Sequence, residues 1–108
     1  MVYADLHVHT AYSDGIHSIE ETIKLAKEKG IKVIAITDHD TVFHFEEVQK
    51  VCRQNGLETI RGVEMSCYDY DVHKKVHVVG LALNNHPYHV EKLCQKTLQC
   101  IIMNLLKY

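Results

Sequence analysis

The sequence predicts an α/β fold built on parallel strands, with one antiparallel return. Three observations lead to it. Strand-like and helix-like segments alternate in the order β-α-β-α-β, and such alternation packs as a parallel sheet with right-handed crossovers. The second strand candidate, Val33 to Ile36, is apolar at every position, as strands covered on both faces are. Between Ser66 and Lys75 no helical pattern appears, and a parallel crossover needs about a dozen residues or more. The next strand must therefore run back against its predecessor.

Each element has its own signal. In Val2 to His9, Ala4, Leu6 and Val8 alternate with Tyr3, Asp5, His7 and His9, so the two sets face opposite sides of a strand. Thr10 to His17 is a loop with Asp14-Gly15 as its turn pair. Ser18 followed by Glu21 fits a capping box. The helix it opens runs to about Lys29, buries Ile19, Ile23 and Ala26, and stops at Gly30. Lys27 and Lys29 complement the helix dipole in its last turn.

After Val33 to Ile36 comes the polar run Thr37-Asp38-His39-Asp40-Thr41. The spacing then predicts a helix over 42–54, burying Val42, Phe45, Val48 and Cys52 and ending at Asn55-Gly56. Glu58 to Ser66 reads as a third strand and Val76 to Leu83 as a fourth. Asn85-His86-Pro87 opens a last helix with Val90, Leu93, Cys94, Leu98, Ile101 and Leu105 on one stripe. The segment from Cys100 to Tyr108 is apolar nearly all round, which predicts burial against another surface.

Composition narrows the functional classes. A chain of 108 residues reads as one domain with one core. Its net charge of -2 gives no general attraction for nucleic acid or anionic membrane. No apolar run approaches the roughly 20 residues of a membrane span, and the N-terminus carries no signal-peptide pattern. Cys52, Cys67, Cys94 and Cys100 form no C-x-x-C pair, so they read as free or buried thiols of a reducing cytoplasm. The outlier is histidine, with nine residues against a single proline.

The predicted topology gathers part of that surplus. Sites on sheets of this class form beyond the carboxyl ends of the parallel strands. His7 and His9 close the first strand, Asp38 and His39 the second, and Glu64 the third. The antiparallel return brings His77 to the same rim, and Asp14 reaches it from the first loop. Packed imidazoles cannot all charge cheaply, and carboxylates among them need a positive counterpart; a divalent cation satisfies both. The six candidate ligands are therefore His7, His9, Asp14, His39, Glu64 and His77. One catalytic zinc takes three or four protein ligands, so the set predicts two or more ions with Glu64 bridging a pair. Nitrogen and oxygen donors without sulfur suit Zn, Mn or Fe. Asp5, Asp38 and Asp40 are expected to orient ligands or cap a helix. His17, His44, His73, His86 and His89 read as surface or cap residues, and Lys74 and Lys75 as a solvated turn. No substrate-binding residue stands out.

Asp5-Leu6-His7-Val8-His9-Thr10 with Ser13-Asp14-Gly15 resembles the opening motif of the polymerase and histidinol phosphatase (PHP) family. Ala35-Ile36-Thr37-Asp38-His39-Asp40-Thr41 resembles its second motif. Gly62-Val63-Glu64-Met65-Ser66 and His77-Val78-Val79-Gly80-Leu81 resemble its third region. The resemblance covers about residues 1–90 and is closest to the small phosphoesterases acting on nucleotides or short oligonucleotides.

It implies a distorted β/α barrel with two or three divalent ions at its C-terminal face. His7, His9 and Glu64 are implied to hold one ion, Glu64 and His77 a second, and Asp14 and His39 part of a third. Glu64 would then be a catalytic ligand, with hydrolysis by a metal-bound hydroxide. A family barrel continues with another ligand histidine and an Asp-x-His pair, and a barrel of this type takes about 200–250 residues. Residues 1–108 are thus expected to form about half of one, an incomplete PHP-like domain that self-associates through its open edge and apolar C-terminal helix. The competing expectation is a catalytically silent metal-binding domain that serves oligomerisation.

Overall fold

The computed structural model describes residues 3–84 and 87–96. The predicted capping box forms: the Glu21 backbone N–H donates to the Ser18 hydroxyl at 3.2 Å, and the Ser18 N–H donates to the Glu21 carboxylate at 3.4 Å. It starts α1 (Ile19–Glu28). Past the helix, Gly30 sits at φ +80, a left-handed conformation that glycine adopts without steric cost. The buried face is Ile19, Ile23 and Ala26, as the spacing requires.

β1 (Ala4–Val8), β2 (Val33–Ile36) and the two-residue β3 (Glu58–Thr59) form a parallel sheet in the order β1-β2-β3. β2 is central, which explains its apolar run: Ile34, Ala35 and Ile36 are all buried. Between Asp5 and Val8 the register slips, with three steps along β1 matched by two along β2. Such a bulge breaks strict alternation. The expected Ala4-Leu6-Val8 core face is broken accordingly: Asp5 and Val8 are half-buried, while Leu6 is exposed.

The expected third strand, Glu58 to Ser66, divides in two. β3 ends at Thr59, and β4 (Gly62–Asp69) leaves the sheet to pair antiparallel with β5 (Lys74–Leu81), from Gly62↔Leu81 to Asp69↔Lys74. The departure requires close packing at Gly62, where an added Cβ would lie 2.8 Å from Thr37 Cγ2. Two backbone hydrogen bonds still tie β4 to the end of β2, Asp40 N–H to Glu64 O at 3.0 Å and Glu64 N–H to Asp38 O at 3.2 Å. The antiparallel return is therefore present. β5 starts at Lys74 and ends before Ala82, whose φ of 59 leaves the extended region.

α2 (Phe45–Gln54) begins three residues later than the spacing predicts. Val42 is buried as expected, but from the turn before the helix. One core cluster joins α1, α2 and the sheet through Ile23, Ile34, Ile36, Val48 and Cys52. A second joins Val42, Phe45, Val63 and Cys94, with Met65, Leu83 and Val90 against it. Residues 88–96 are helical, with Cys94 buried and Leu93 exposed, so the expected stripe is narrower than drawn. Asn85, His86, Leu98, Ile101, Leu105 and the apolar segment Cys100 to Tyr108 lie outside the described residues. Among the described residues no helix is long and apolar enough to cross a membrane.

Candidate metal centre

The strand ends bring all six predicted ligands together. Glu64 is 5% exposed and lies at their centre. Its Oε1 meets His7 Nε2 in a short contact and His9 Nε2 at 2.9 Å. Its Oε2 faces His77 Nδ1 at 2.9 Å and His39 Nδ1 at 3.8 Å. Asp14 reaches in from the first loop, with Oδ1 2.6 Å from His9 Nδ1 and Oδ2 3.2 Å from His39 Nε2. The four rings follow one another edge to face, at centroid separations of 5.2 Å for His7 and His9, 4.4 Å for His9 and His39, and 5.0 Å for His39 and His77.

Charge is shared across the cluster. Burial alone would raise the Glu64 pKa, but the hydrogen bonds from His7 and His9 and the charge of His39 pull it below the usual carboxylate range. Asp14 is lowered against the same opposition, by His9 and His39. Burial opposes charge on His9, and its bonds to Asp14 and Glu64 outweigh that and raise its pKa.

Three donor groups have ligand atoms within 4.8 Å of one another: His7, His9 and Glu64; His9, Asp14 and His39; His39, Glu64 and His77. Each consists of two imidazoles and one carboxylate, a set that suits a divalent transition metal with open coordination positions. The donor chemistry therefore fits the ions that the sequence implies.

The surrounding aspartates do different things. Asp38 is fully buried and accepts from Thr10 N–H at 2.6 Å, Thr10 Oγ1 at 2.6 Å, Ser13 Oγ at 2.7 Å and His44 Nε2 at 2.8 Å. Burial would raise its pKa, and these donors, His44 first, lower it instead. Asp40, at φ 53, fastens β4 by accepting from Ser66 N–H at 2.9 Å and Ser66 Oγ at 2.7 Å. Asp5 accepts from the His7 backbone N–H at 3.3 Å, so its contact is with the main chain of a ligand rather than with a ring.

His44 was expected on the surface or at a cap. It stands at the N-cap position of α2, but it is only 4% exposed and its ring is turned onto Asp38 rather than hydrogen-bonded to the helix it precedes. The signal that could have found it is its place on the turn leaving the Thr37–Thr41 motif, where a polar ring must either face solvent or meet a buried acid. His17 is exposed beside Glu21, and His73 and His89 are exposed. Cys67 is exposed, and Lys74 and Lys75 pair across the hairpin with Asp69 and Tyr68.

A parallel α/β sheet with an imidazole and carboxylate cluster at its strand ends defines a class of metallohydrolase-like domains. Residues 5–97 match the PHP domain, and the chain belongs to that family. Among its relatives, a phosphoribosyl 1,2-cyclic phosphate 1,2-diphosphodiesterase of Eggerthella lenta is 33% identical over 95 residues, covering 88% of this chain and 36% of that protein. A 5'-3' exoribonuclease of Haemophilus influenzae is 37% identical over 84 residues, covering 77% of this chain and 30% of the exoribonuclease. A solved structure from Bifidobacterium adolescentis, assigned as a metal-dependent phosphoesterase, superposes with a TM-score of 0.80 at 27% identity, covering 89% of this chain and 33% of the other. The chain thus spans about a third of the length of each of these proteins.

Proposed function

We propose that residues 1–108 form one PHP-type unit, part of a barrel, and carry the metal-binding face of a divalent-metal-dependent phosphoesterase acting on nucleotide or oligonucleotide phosphoesters. The observation that carries the reading is Glu64, a buried carboxylate with imidazoles on both oxygens. The named relatives act on a cyclic phosphodiester and on RNA, which supports this substrate class.

The ligand assignment follows from lone pairs. A neutral imidazole has one lone-pair nitrogen, so His9 and His39 can each serve only one of the two groups that contain them. His7 and His9 with Glu64 Oε1 make one complete set, and His39 and His77 with Glu64 Oε2 make another. We therefore propose that these residues would hold two ions, of Zn, Mn or Fe, with Glu64 shared by both sets. Asp14 would then orient His9 and His39 from outside these sets, and a third ion would need donors beyond the six. Such ions would supply Lewis acidity for a phosphoryl oxygen and a nucleophilic water at neutral pH. The residues themselves fix the imidazole orientations and keep Glu64 ionised. The three described cysteines are free, which supports a cytoplasmic setting. Val76, Val78, Val79 and Leu81 are exposed on β5, which supports self-association through this open edge.

The test is metal analysis of the purified chain after reconstitution with Zn, Mn or Fe, followed by turnover of nitrophenyl phosphate mono- and diesters. About two ions per chain and turnover lost in His9→Ala are expected. Less than one ion at every metal refutes the reading. Two ions without turnover leaves the silent metal-binding domain. Solution mass measured on the same sample tests self-association, and a monomer would exclude it.

A further inference from the structure

Asp38 has no capacity left for an ion. Oδ1 takes the Thr10 N–H and the Ser13 hydroxyl, and Oδ2 takes the Thr10 hydroxyl and His44 Nε2. An ionised carboxylate offers about four acceptor sites, and all are used. Three of the donors come from Thr10 and Ser13, in the stretch between two proposed metal-site residues, His9 and Asp14. The fourth, His44, comes from the turn before α2, a separate part of the chain.

His44 also holds that stretch by a second contact. The Tyr12 ring stacks on the His44 ring at 4.7 Å with an interplanar angle of 12°. The Tyr12 hydroxyl then donates to Glu47 of α2 at 2.9 Å. The loop is thus clamped to the start of α2 at both Thr10–Ser13 and Tyr12.

The tautomer follows from burial. The His44 side chain is 2% exposed, and its Nδ1 has no hydrogen-bond partner. An ionised Asp38 can only accept, so Nε2 carries the proton.

We propose that His44 is a positioning residue of the metal centre: as an Nε2–H donor it locks Asp38, and through Asp38 and Tyr12 it fixes the loop that sets His9 and Asp14. This rests on the metal-site reading above. A histidine that only fills space would be replaceable by any side chain of similar volume, whereas a clamp needs a donor at this position.

Two variants and one spectroscopic measurement separate these roles in the full chain. His44→Leu keeps bulk and removes the donor, while His44→Gln keeps an N–H donor at similar reach. Affinity for Zn or Mn is read by competition with a chromophoric chelator, and cooperative thermal unfolding reports the fold. His44→Leu should weaken binding about 10–100-fold, the usual loss when a group supporting a metal ligand is removed, and His44→Gln should recover most of it. Long-range proton–nitrogen NMR of the wild type should show His44 with a proton on Nε2.

Undiminished affinity in folded His44→Leu, or a His44→Gln no better than it, overturns the proposal. So does an Nε2 that carries no proton. Should His44→Leu fail to fold, the NMR tautomer and His44→Gln still decide. Should the wild type bind no metal, the reading of the site falls, and the tautomer alone judges the clamp.

Discussion

Gly15→Ala tests how tightly the first loop is wound against a proposed ligand. Gly15 does not occupy a left-handed conformation, so its requirement is space. A Cβ there would lie 2.7 Å from His9 O and 2.8 Å from both His9 C and Thr10 C. Carbon atoms settle about 3.5–4.0 Å apart, so the overlap is at least roughly 0.7 Å and falls on main chain rather than on a flexible side chain. Overpacking of this kind costs about 1–3 kcal/mol. The stiffer unfolded chain returns about 0.4–1 kcal/mol of that. The net loss, centred on about 1.3 kcal/mol, should lower the melting temperature by roughly 5–10 °C.

Relief requires the backbone at His9 and Thr10 to move, which displaces the His9 ring and strains the 2.6 Å bond from Thr10 N–H to Asp38. Metal affinity should therefore fall together with stability. Gly30→Ala is the control. Nothing lies within 4 Å of its Cβ position, and its φ is +80, so it should lose about 1–2 kcal/mol through backbone strain alone and leave metal binding unchanged. Calorimetric melting and chelator competition on both variants decide the matter. A Gly15→Ala chain that melts with the wild type and binds metal as tightly would refute the reasoning.

Four further outcomes are expected. Glu64→Gln removes the anion from two of the three donor groups, so elemental analysis should find less than one tightly bound ion per chain; two retained ions would exclude Glu64 as the bridge. Ile23→Ala empties a fully buried position in the first core cluster and should cost about 2–5 kcal/mol in denaturant unfolding. Ser18→Ala should cost about 1 kcal/mol with metal binding intact. The capping box also makes stability depend on pH. Ser18 and His17 lower the Glu21 pKa, so its contribution is complete above the ordinary carboxylate pKa and is lost as pH falls through the depressed folded value. Acid titrations of the wild type and Glu21→Gln should converge below that value and diverge above it.

The clustering of the six candidate ligands was legible because each lies at a strand end or on the loop leaving one, and the order of elements fixes where those ends are. The positions around them were harder. Asp5 shares a strand face with His7 in the sequence pattern, but the register slips between Asp5 and Val8, and nothing in the residue pattern marks the extra residue. His44 falls inside the helix that the spacing of Val42, Phe45, Val48 and Cys52 predicts, whereas the fold starts that helix at Phe45 and turns the His44 ring onto Asp38. Asp38 was expected to orient ligands or cap a helix; the structure shows it accepting from three donors of the next loop, on Thr10 and Ser13, and from His44.

The division of the third strand matters most for the site. The residues from Glu58 to Ser66 read as one strand, yet the chain leaves the sheet at Gly62 and is joined by the His39↔Glu64 bridge to the segment that follows β2. That bridge sets Glu64 level with His39. The free part of β4 can then take β5 as an antiparallel partner, which carries His77 to the opposite side of the same carboxylate. Had β4 stayed in the sheet with a helical crossover after it, the next strand would begin at the far end and His77 could not reach Oε2. A carboxylate with imidazoles on both oxygens thus depends on the break at Gly62. A bulky side chain there, against Thr37 and Leu81, should separate His77 from Glu64 before it disturbs His7 or His9.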